Sequence, residues 1–417
     1  MYRTRGRLPK ALGVALLGGA LVVPSGVVLT GGSAAAATAP AATAPAALEP
    51  LTRGAPVYTV HVILSGSTLT HTFTPSSGGA PMTETLSHPD DITQLGNDLF
   101  VGFQNGVGPQ GEPSSDGNLD STVVELKTNG DPVAQWDVQG KTDGVTADPE
   151  TGLVIATVNE DANSSLYTID PDAPGPAQVT HYSYNEALPH NGGTDAISIF
   201  RGQILISASA PGTSGPPAPQ STYPAVYSVR LDPSTMIATV TPLFYDEDQA
   251  TVANVGSGYG QSTKLQLTDP DSNEVVPAGA RFGGDFMLTS QGDQEQIFVR
   301  NSGWGHQSLA VLSLSQSVDD SAWPTQSRGT LYSTDSTNDS IDTIRGPFTP
   351  FQPFAVATPC GANSAPATCP APPAFPANYL ATLDPGTGQV NAVTVVGAAY
   401  TPQGGLIFVP RGGHEPQ

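Results

Sequence analysis

From residue 57 onward the chain runs as short apolar stretches separated by clusters of Gly, Pro, Asp, Asn and Ser. Such runs, bounded by turn formers, read as β-strands. The clearest unit spans residues 143–184. Asp143–Ala147 is a first strand, Asp148-Pro149-Glu150-Thr151-Gly152 a turn, and Leu153–Val158 a second strand. Asn159–Ser165 is a loop, Leu166–Ile169 a third strand ended by Asp170-Pro171, and Gln178–Tyr184 a fourth. Third-strand runs of the same kind recur at Val123–Leu126, Ala225–Leu231, Leu309–Leu314 and Tyr379–Leu383. Asp232-Pro233 and Asp384-Pro385 repeat the stop, because Asp caps the turn and Pro fixes φ.

A second pattern sets the period. An Asp, one further residue and an apolar residue open a β-rich run at Asp90, Asp143, Asp195, Asp285 and Asp342. The spacings are 53, 52, 90 and 57 residues, and three of them fit one four-stranded propeller blade with its loops. A sixth unit is split between the termini. Pro402–Val409 matches the turn and second strand of the 143–184 unit, and nothing follows it. Val57–Leu64 and Leu69–Thr74 supply two strands lacking their predecessors. Joining them closes a ring and removes open sheet edges. The expected fold is therefore all-β: a six-bladed β-propeller over 55–411, closed by N-terminal strands joining the C-terminal blade. The 90-residue interval within 199–283 holds either an inserted hairpin or a seventh blade, and the single hairpin visible there favours insertion.

The remaining segments read differently. Arg3, Arg5, Arg7 and Lys10 precede the apolar stretch 11–29, and Ala35-Ala36-Ala37 offers a cleavage site. Residues 1–37 read as a signal peptide, with a retained anchor as the alternative, 38–54 as an Ala/Pro/Thr linker, and 412–417 as a tail. The protein is expected outside the cell, without a membrane span after cleavage. The formal charge of −22 becomes about −26 on removing those four cations, which excludes nucleic acid and anionic lipid as partners. Charged residues are only 12%, and the 38% hydrophobic content suffices for a sizeable core. Cys360 and Cys369 fall in one Pro-rich loop, where an oxidising compartment would pair them as a disulfide.

The run Asp143-Gly144-Val145-Thr146-Ala147-Asp148-Pro149, followed by Gly152-Leu153-Val154-Ile155, resembles secreted six-bladed propellers of the NHL-repeat and SMP-30/gluconolactonase-like kind. The resemblance covers the repeat grammar of most of the chain. It implies a divalent metal at the channel, held by Glu, Asn and Asp. This chain has His88-Pro89-Asp90 where that family has Glu-Gly-Pro, and it lacks the Pro-Asn-Gly that supplies Asn ligands.

Candidate chemistry follows from placement. The repeated aspartates would open the inner strands, around one axis, on the face that carries the long loops. Five converging carboxylates need a cation or shared protons, which makes Asp90, Asp143, Asp195, Asp285 and Asp342 candidate Ca²⁺ ligands. Alternatively each caps its own turn. His88, His190 and His306 fall near the same mouth as candidate general bases. Asn159, Glu160, Tyr223 and Trp304 lie on long loops as candidate ligand contacts. Gly106–Gly111 matches a dinucleotide fingerprint but opens no helix. The expected function is a monomeric secreted propeller that binds a small molecule, a glycan or an extracellular protein. A metal-dependent lactonase or esterase using the ring aspartates is the alternative, and a glycosidase using two ring carboxylates is a third.

Overall fold

The strand pairings of the computed structural model, which describes residues 56–189, 193–209, 222–300, 307–359 and 377–412, build a β-propeller. Among the described residues six sets of four strands can be traced through the sheets; the second and third are joined into one eight-stranded sheet where Ser183 pairs with Ile237 and Tyr184 with Ala238, and Thr394–Gly397 adds a fifth strand to the sixth. From inner to outer strand, the first is Pro89–Leu95, Asp98–Phe103, Asp120–Lys127 and Pro132–Gln139. The second is Thr142–Asp148, Leu153–Val158, Ser165–Ile169 and Val179–Tyr184. The third is Ile197–Phe200, Gln203–Ser207, Pro224–Asp232 and Ile237–Tyr245. The fourth is Pro270–Val275, Phe286–Ser290, Glu295–Arg300 and Ser308–Ser313. The fifth is Val318–Ala322, Phe354–Ala357, Tyr379–Leu383 and Val390–Ala392. The sixth is Leu406–Pro410, Gly329–Asp335, Ser340–Arg345 and Val57–Ser65.

The core follows the same order. Each hydrophobic cluster takes residues from two successive sets. Phe100 and Trp136 meet Val154 and Tyr167; Ile155 and Leu166 meet Ile206 and Tyr227. Leu205 and Phe244 meet Phe286 and Ile297; Met287 and Phe298 meet Trp323 and Ala355. Phe354 and Leu380 meet Ile344 and Phe408. Leu64 and Ile341 meet Leu99 and Val124, which returns the packing from the sixth set to the first. Apolar burial between faces, at roughly 25 cal/mol per Å², thus holds every set to two neighbours.

Closure joins the chain ends in one set, as the sequence implied, but the strands take other places. Val57–Ser65 is the fourth strand of that set, paired with Ser340–Arg345. Thr70–Phe73 leaves the set and pairs with Met82–Thr85 as a separate hairpin. Leu406–Pro410, expected as a second strand, is innermost. The strands around Asp342 were expected to begin a blade of their own. They form instead a hairpin, Gly329–Asp335 with Ser340–Arg345, that leaves the fifth set to complete the sixth. In the long interval, Gln249–Val252 and Ser262–Lys264 form a hairpin on the outer edge of the fourth set. Pro270–Val275 is that set's inner strand, so Phe286–Ser290 is its second strand, not its first.

The signal peptide and linker read over 1–37 and 38–54 lie outside the described residues, as do Cys360 and Cys369 and all of the tail but residue 412. Among the described residues no helix is long and apolar enough to cross a membrane.

The separate hairpin is fixed by one buried histidine. The His71 side chain is fully buried, with Nε2 2.8 Å from Glu84 Oε1 and Nδ1 3.3 Å from Asp137 Oδ1. Burial alone lowers the pKa of the imidazole, but hydrogen bonding and charge from Asp137 and Glu84 outweigh it and the net direction is upward. Glu84 is also pushed up, first by burial, although His71 pulls it down. Two carboxylates on one ring favour the imidazolium. A histidine whose folded pKa is raised stabilises the fold fully below its unfolded pKa of about 6.5. That stabilisation is lost as pH rises through the folded value. His71→Phe should therefore cost about 1–3 kcal/mol at pH 6 and less at pH 9. Urea unfolding of both proteins at the two pH values checks this, and an equal cost at both would remove the ion pair from the account.

Candidate ligand-binding site

Four inner strands carry the same irregularity. Between Pro89 and Ile92, Thr142 and Val145, Pro270 and Asn273, and Val318 and Ser321, two residues face one on the partner strand. The paired residues are Asp90-Asp91, Asp143-Gly144, Asp271-Ser272 and Asp319-Asp320. Bulges of this type re-aim side chains. Asp195-Ala196 stands at the same place before Ile197, with hydrogen bonds from the Asp195 amide to Ser207 O and from the Ser207 amide to Ala196 O. Gly404-Gly405 takes the place in the sixth set. A Cβ on Gly404 would lie 2.6 Å from both Asp90 O and Asp90 Oδ1, so the position admits no side chain.

The bulges are laced to one another. Asp91 Oδ2 accepts from the Val145 amide at 2.6 Å, and Asp320 Oδ2 from the Leu406 amide at 2.7 Å. The Thr157 hydroxyl donates to Asp195 O at 2.6 Å, the Ser207 hydroxyl to Asp271 O at 2.5 Å, and the Ser272 hydroxyl to Asp319 O at 2.5 Å. The Gly405 amide donates to Asp90 O at 2.8 Å. Each bond runs between neighbouring sets. Asp90, Asp195, Asp271 and Asp319 thus commit their carbonyl groups to the ring, and their carboxyl groups line the channel.

The result is a cavity of about 1210 Å³ whose lining includes Asp90, Asp143, Asp195, Asp271 and Asp319, together with Glu160. Lys141 is the one lysine among its lining residues. Its Nζ lies 2.8 Å from Asp143 Oδ1 and bonds Glu160 Oε1, with 16% of the side chain exposed. The Gln104 side-chain amide donates to Asp90 Oδ2 at 2.9 Å and to Asp143 Oδ1 at 3.3 Å. Among the described residues no hydrogen-bond partner reaches the buried Asp143 Oδ2 or Asp271 Oδ2.

Charge crowding sets the titration. Burial, then Asp143, pushes Asp90 well above the usual carboxylate range, while burial, then Asp143 and Glu160, does so for Asp195. Burial, then Asp195 and Asp319, does the same for Asp271. Asp143 is pushed up to about 7 by burial and Glu160, against the pull of Lys141. Asp319 is pushed up to about 6 by burial, against the Gly404 amide and a hydrogen bond from Asp271. Burial pulls Lys141 downward, yet the carboxylates of Asp143, Glu160 and Asp90 raise it. Both partners of the Lys141–Asp143 pair therefore move up. One cation serves several carboxylates, so the lysine stays charged and the surplus acids hold protons.

The expected ring of aspartates is thus partly reassigned. Asp90, Asp143 and Asp195 line the cavity; Asp285 and Asp342 do not. Asp285 precedes a second strand, where Arg300 Nη2 pairs with its Oδ2 at 3.1 Å. Asp342 lies in a third strand and accepts from the Ser340 hydroxyl at 2.9 Å. Asp271 and Asp319 hold the places given to them. Each follows a loose variant of Pro89-Asp90-Asp91, as Pro270-Asp271 and as the doublet Asp319-Asp320, too far from the repeat to be singled out by it. Lys141 had no repeat to mark it.

Other candidates fall variously. His88 is at the exposed rim, its Nδ1 3.1 Å from the Ser87 hydroxyl. Glu160 lines the cavity. Asn159 sits beneath the loop, accepting from the Lys141 amide at 3.0 Å and donating to Asn163 O at 3.2 Å, a positioning role. Tyr223 is buried away from the cavity, its amide donating to Asp246 Oδ1. His190, His306 and Trp304 lie outside the described residues.

The divalent centre implied by the resemblance does not fit these residues. Asp91 and Asp320 give their oxygens to backbone amides, Asp319 gives one to Gly404, and Asp143 gives one to Lys141. Among the described residues no three His, Cys, Asp or Glu side chains gather as a metal site.

No protein-family model matches the chain, and no curated protein matches it. Solved structures similar to it include gluconolactonase-like propellers. The periplasmic gluconolactonase of Pseudomonas aeruginosa is 14% identical, with 84% of this chain and 98% of that chain covered and a TM-score of 0.40. A Bacteroides caccae protein of unknown function is 10% identical, with 85% and 99% covered and a TM-score of 0.41. Hydrazine synthase of Kuenenia stuttgartiensis is 12% identical, with 72% and 66% covered and a TM-score of 0.35. This chain thus spans about two thirds of that last chain. The fold itself rests on the strand pairings.

Proposed function

We propose that the protein is an exported propeller that binds a small, polar, positively charged ligand in the channel-mouth cavity. One observation carries the reading: among the described residues, carboxyl groups line the cavity with a single lysine, and oxygens of Asp143 and Asp271 have no partner. Buried acceptors without partners are costly, and a ligand that supplies donors and positive charge relieves that cost. Glucosamine, glucose and gluconate form a charge series on one scaffold. Glucosamine should raise the melting temperature by several degrees at saturation, glucose less, and gluconate not at all. Absence of any shift across a wider panel of cationic, neutral and anionic small molecules would overturn the reading.

A hydrolytic role has one observation in its favour, the carboxyl group of Asp143 poised at about 7, in the range of a general base. It requires turnover of a lactone or aryl ester that disappears in Asp143→Asn. Background turnover in both proteins would remove it.

A further inference from the structure

The cavity already holds one ammonium group, supplied by the chain itself. Lys141 Nζ sits against Asp143 Oδ1 and Glu160, with Gln104 completing that side. Asp143 is 4% exposed, and its second oxygen, Oδ2, has no partner. Asp195 is 8% exposed on the next set, and Asp271 beyond it again has an unpartnered Oδ2. The lysine serves one arc of the ring. Among the described residues the following arc holds no lysine or arginine.

From this, and resting on the reading above, we infer that the arc of Asp143 Oδ2, Asp195 and Asp271 Oδ2 is the seat of a primary ammonium group of the ligand. The match is one of type. A primary ammonium carries N–H donors and no acceptor, and among the described residues Asp143 Oδ2 and Asp271 Oδ2 are buried acceptors with no partner. A quaternary ammonium brings charge without donors. Binding should also displace protons. Burial, then the charge of Asp195 and Asp319, pushes Asp271 well above the usual carboxylate range. A cation among them ionises the group, and the proton passes to the buffer.

The test is calorimetric titration at pH 7 with butylamine, tetramethylammonium and calcium chloride as probes. Butylamine should bind with one-to-one stoichiometry and release protons, seen as a dependence of the enthalpy on the buffer. Asp195→Asn and Asp271→Asn should each weaken it at least tenfold. Both variants remove like-charge repulsion, so their folding is not at risk, and their melting curves confirm it. Lys141→Met should bind a second butylamine, at the lysine's own place. Tetramethylammonium binding as tightly as butylamine would overturn the inference in favour of charge alone. Calcium binding in place of butylamine would overturn it in favour of a metal. Should glucosamine and glucose both bind while butylamine does not, the ammonium seat falls and the ligand cavity stands. Should none bind, both fall.

Discussion

Lys141→Met should lower the stability of the protein by about 1–3 kcal/mol at pH 8, less than the full cost of a stranded charge because Asp143, already pushed up to about 7, can take a proton. The methionine keeps most of the stem and loses only the ammonium, so packing contributes little to the difference. What remains is Asp143, whose side chain is 2% exposed, facing Glu160 and Asp90 with no cation. The second variant decides the cause. Asp143→Asn in the Lys141→Met background should recover much of the loss, because it removes the stranded charge and keeps the shape. The exposed pair Lys127–Asp98, at 2.8 Å, is the control. Lys127→Met should change the urea midpoint little, since water screens that pair. Equal effects of the two lysine variants would mean that the channel is as wet as the surface, and the electrostatic account of the cavity would fall with it.

The same lysine shows where the sequence stops being informative. Strand positions, turns and the closure through the termini were legible because alternation, Asp-Pro stops and a period near 53 residues recur independently of detail. Three of the inner aspartates were legible for the same reason. Asp271 was missed because Asn273 stands where the repeat has an apolar residue, and Gly284-Asp285-Phe286 gives a better local match. Only pairing shows that Asp285 precedes a second strand and meets Arg300. Asp342 misled likewise, because the hairpin of Gly329–Asp335 and Ser340–Arg345 leaves its sequential neighbours to complete another set. A strand that changes partners leaves no local trace. Lys141 belongs to no repeat at all, and it becomes meaningful only beside Glu160, nineteen positions on. Repetition makes a scaffold readable, whereas the residues that break the repeat carry the individual chemistry.

The pH dependence of stability should run opposite to that of a protein held by ordinary salt bridges. Asp91 and Asp143 are pushed up to about 7 and Asp319 to about 6, from an ordinary value of 3.8, with burial the first cause in each case. Between about pH 4 and pH 7 the folded chain therefore binds more protons than the unfolded one. Stability then falls as pH rises, by up to about 1.4 kcal/mol per pH unit for each such group. It levels once the folded values are passed. Below about pH 4 these groups contribute nothing further. There Asp116, Asp232 and Asp384, held below the usual range chiefly by hydrogen bonds, lose their contribution as they protonate. The urea midpoint should thus be highest near pH 4–5 and lower by pH 8. His71 changes stability in the same direction, but only above about pH 6.5, so the His71→Phe protein isolates the aspartates. Asp143→Asn should raise the midpoint at pH 8 and leave it unchanged at pH 4.5, because the wild-type group is already protonated there. A midpoint that climbs from pH 4.5 to pH 8 in the wild type would mean that the ring is ionised and fully paired within the fold. In that case the cavity would need no cation from outside, and the stability curve alone would refute a cationic ligand before any ligand is tried.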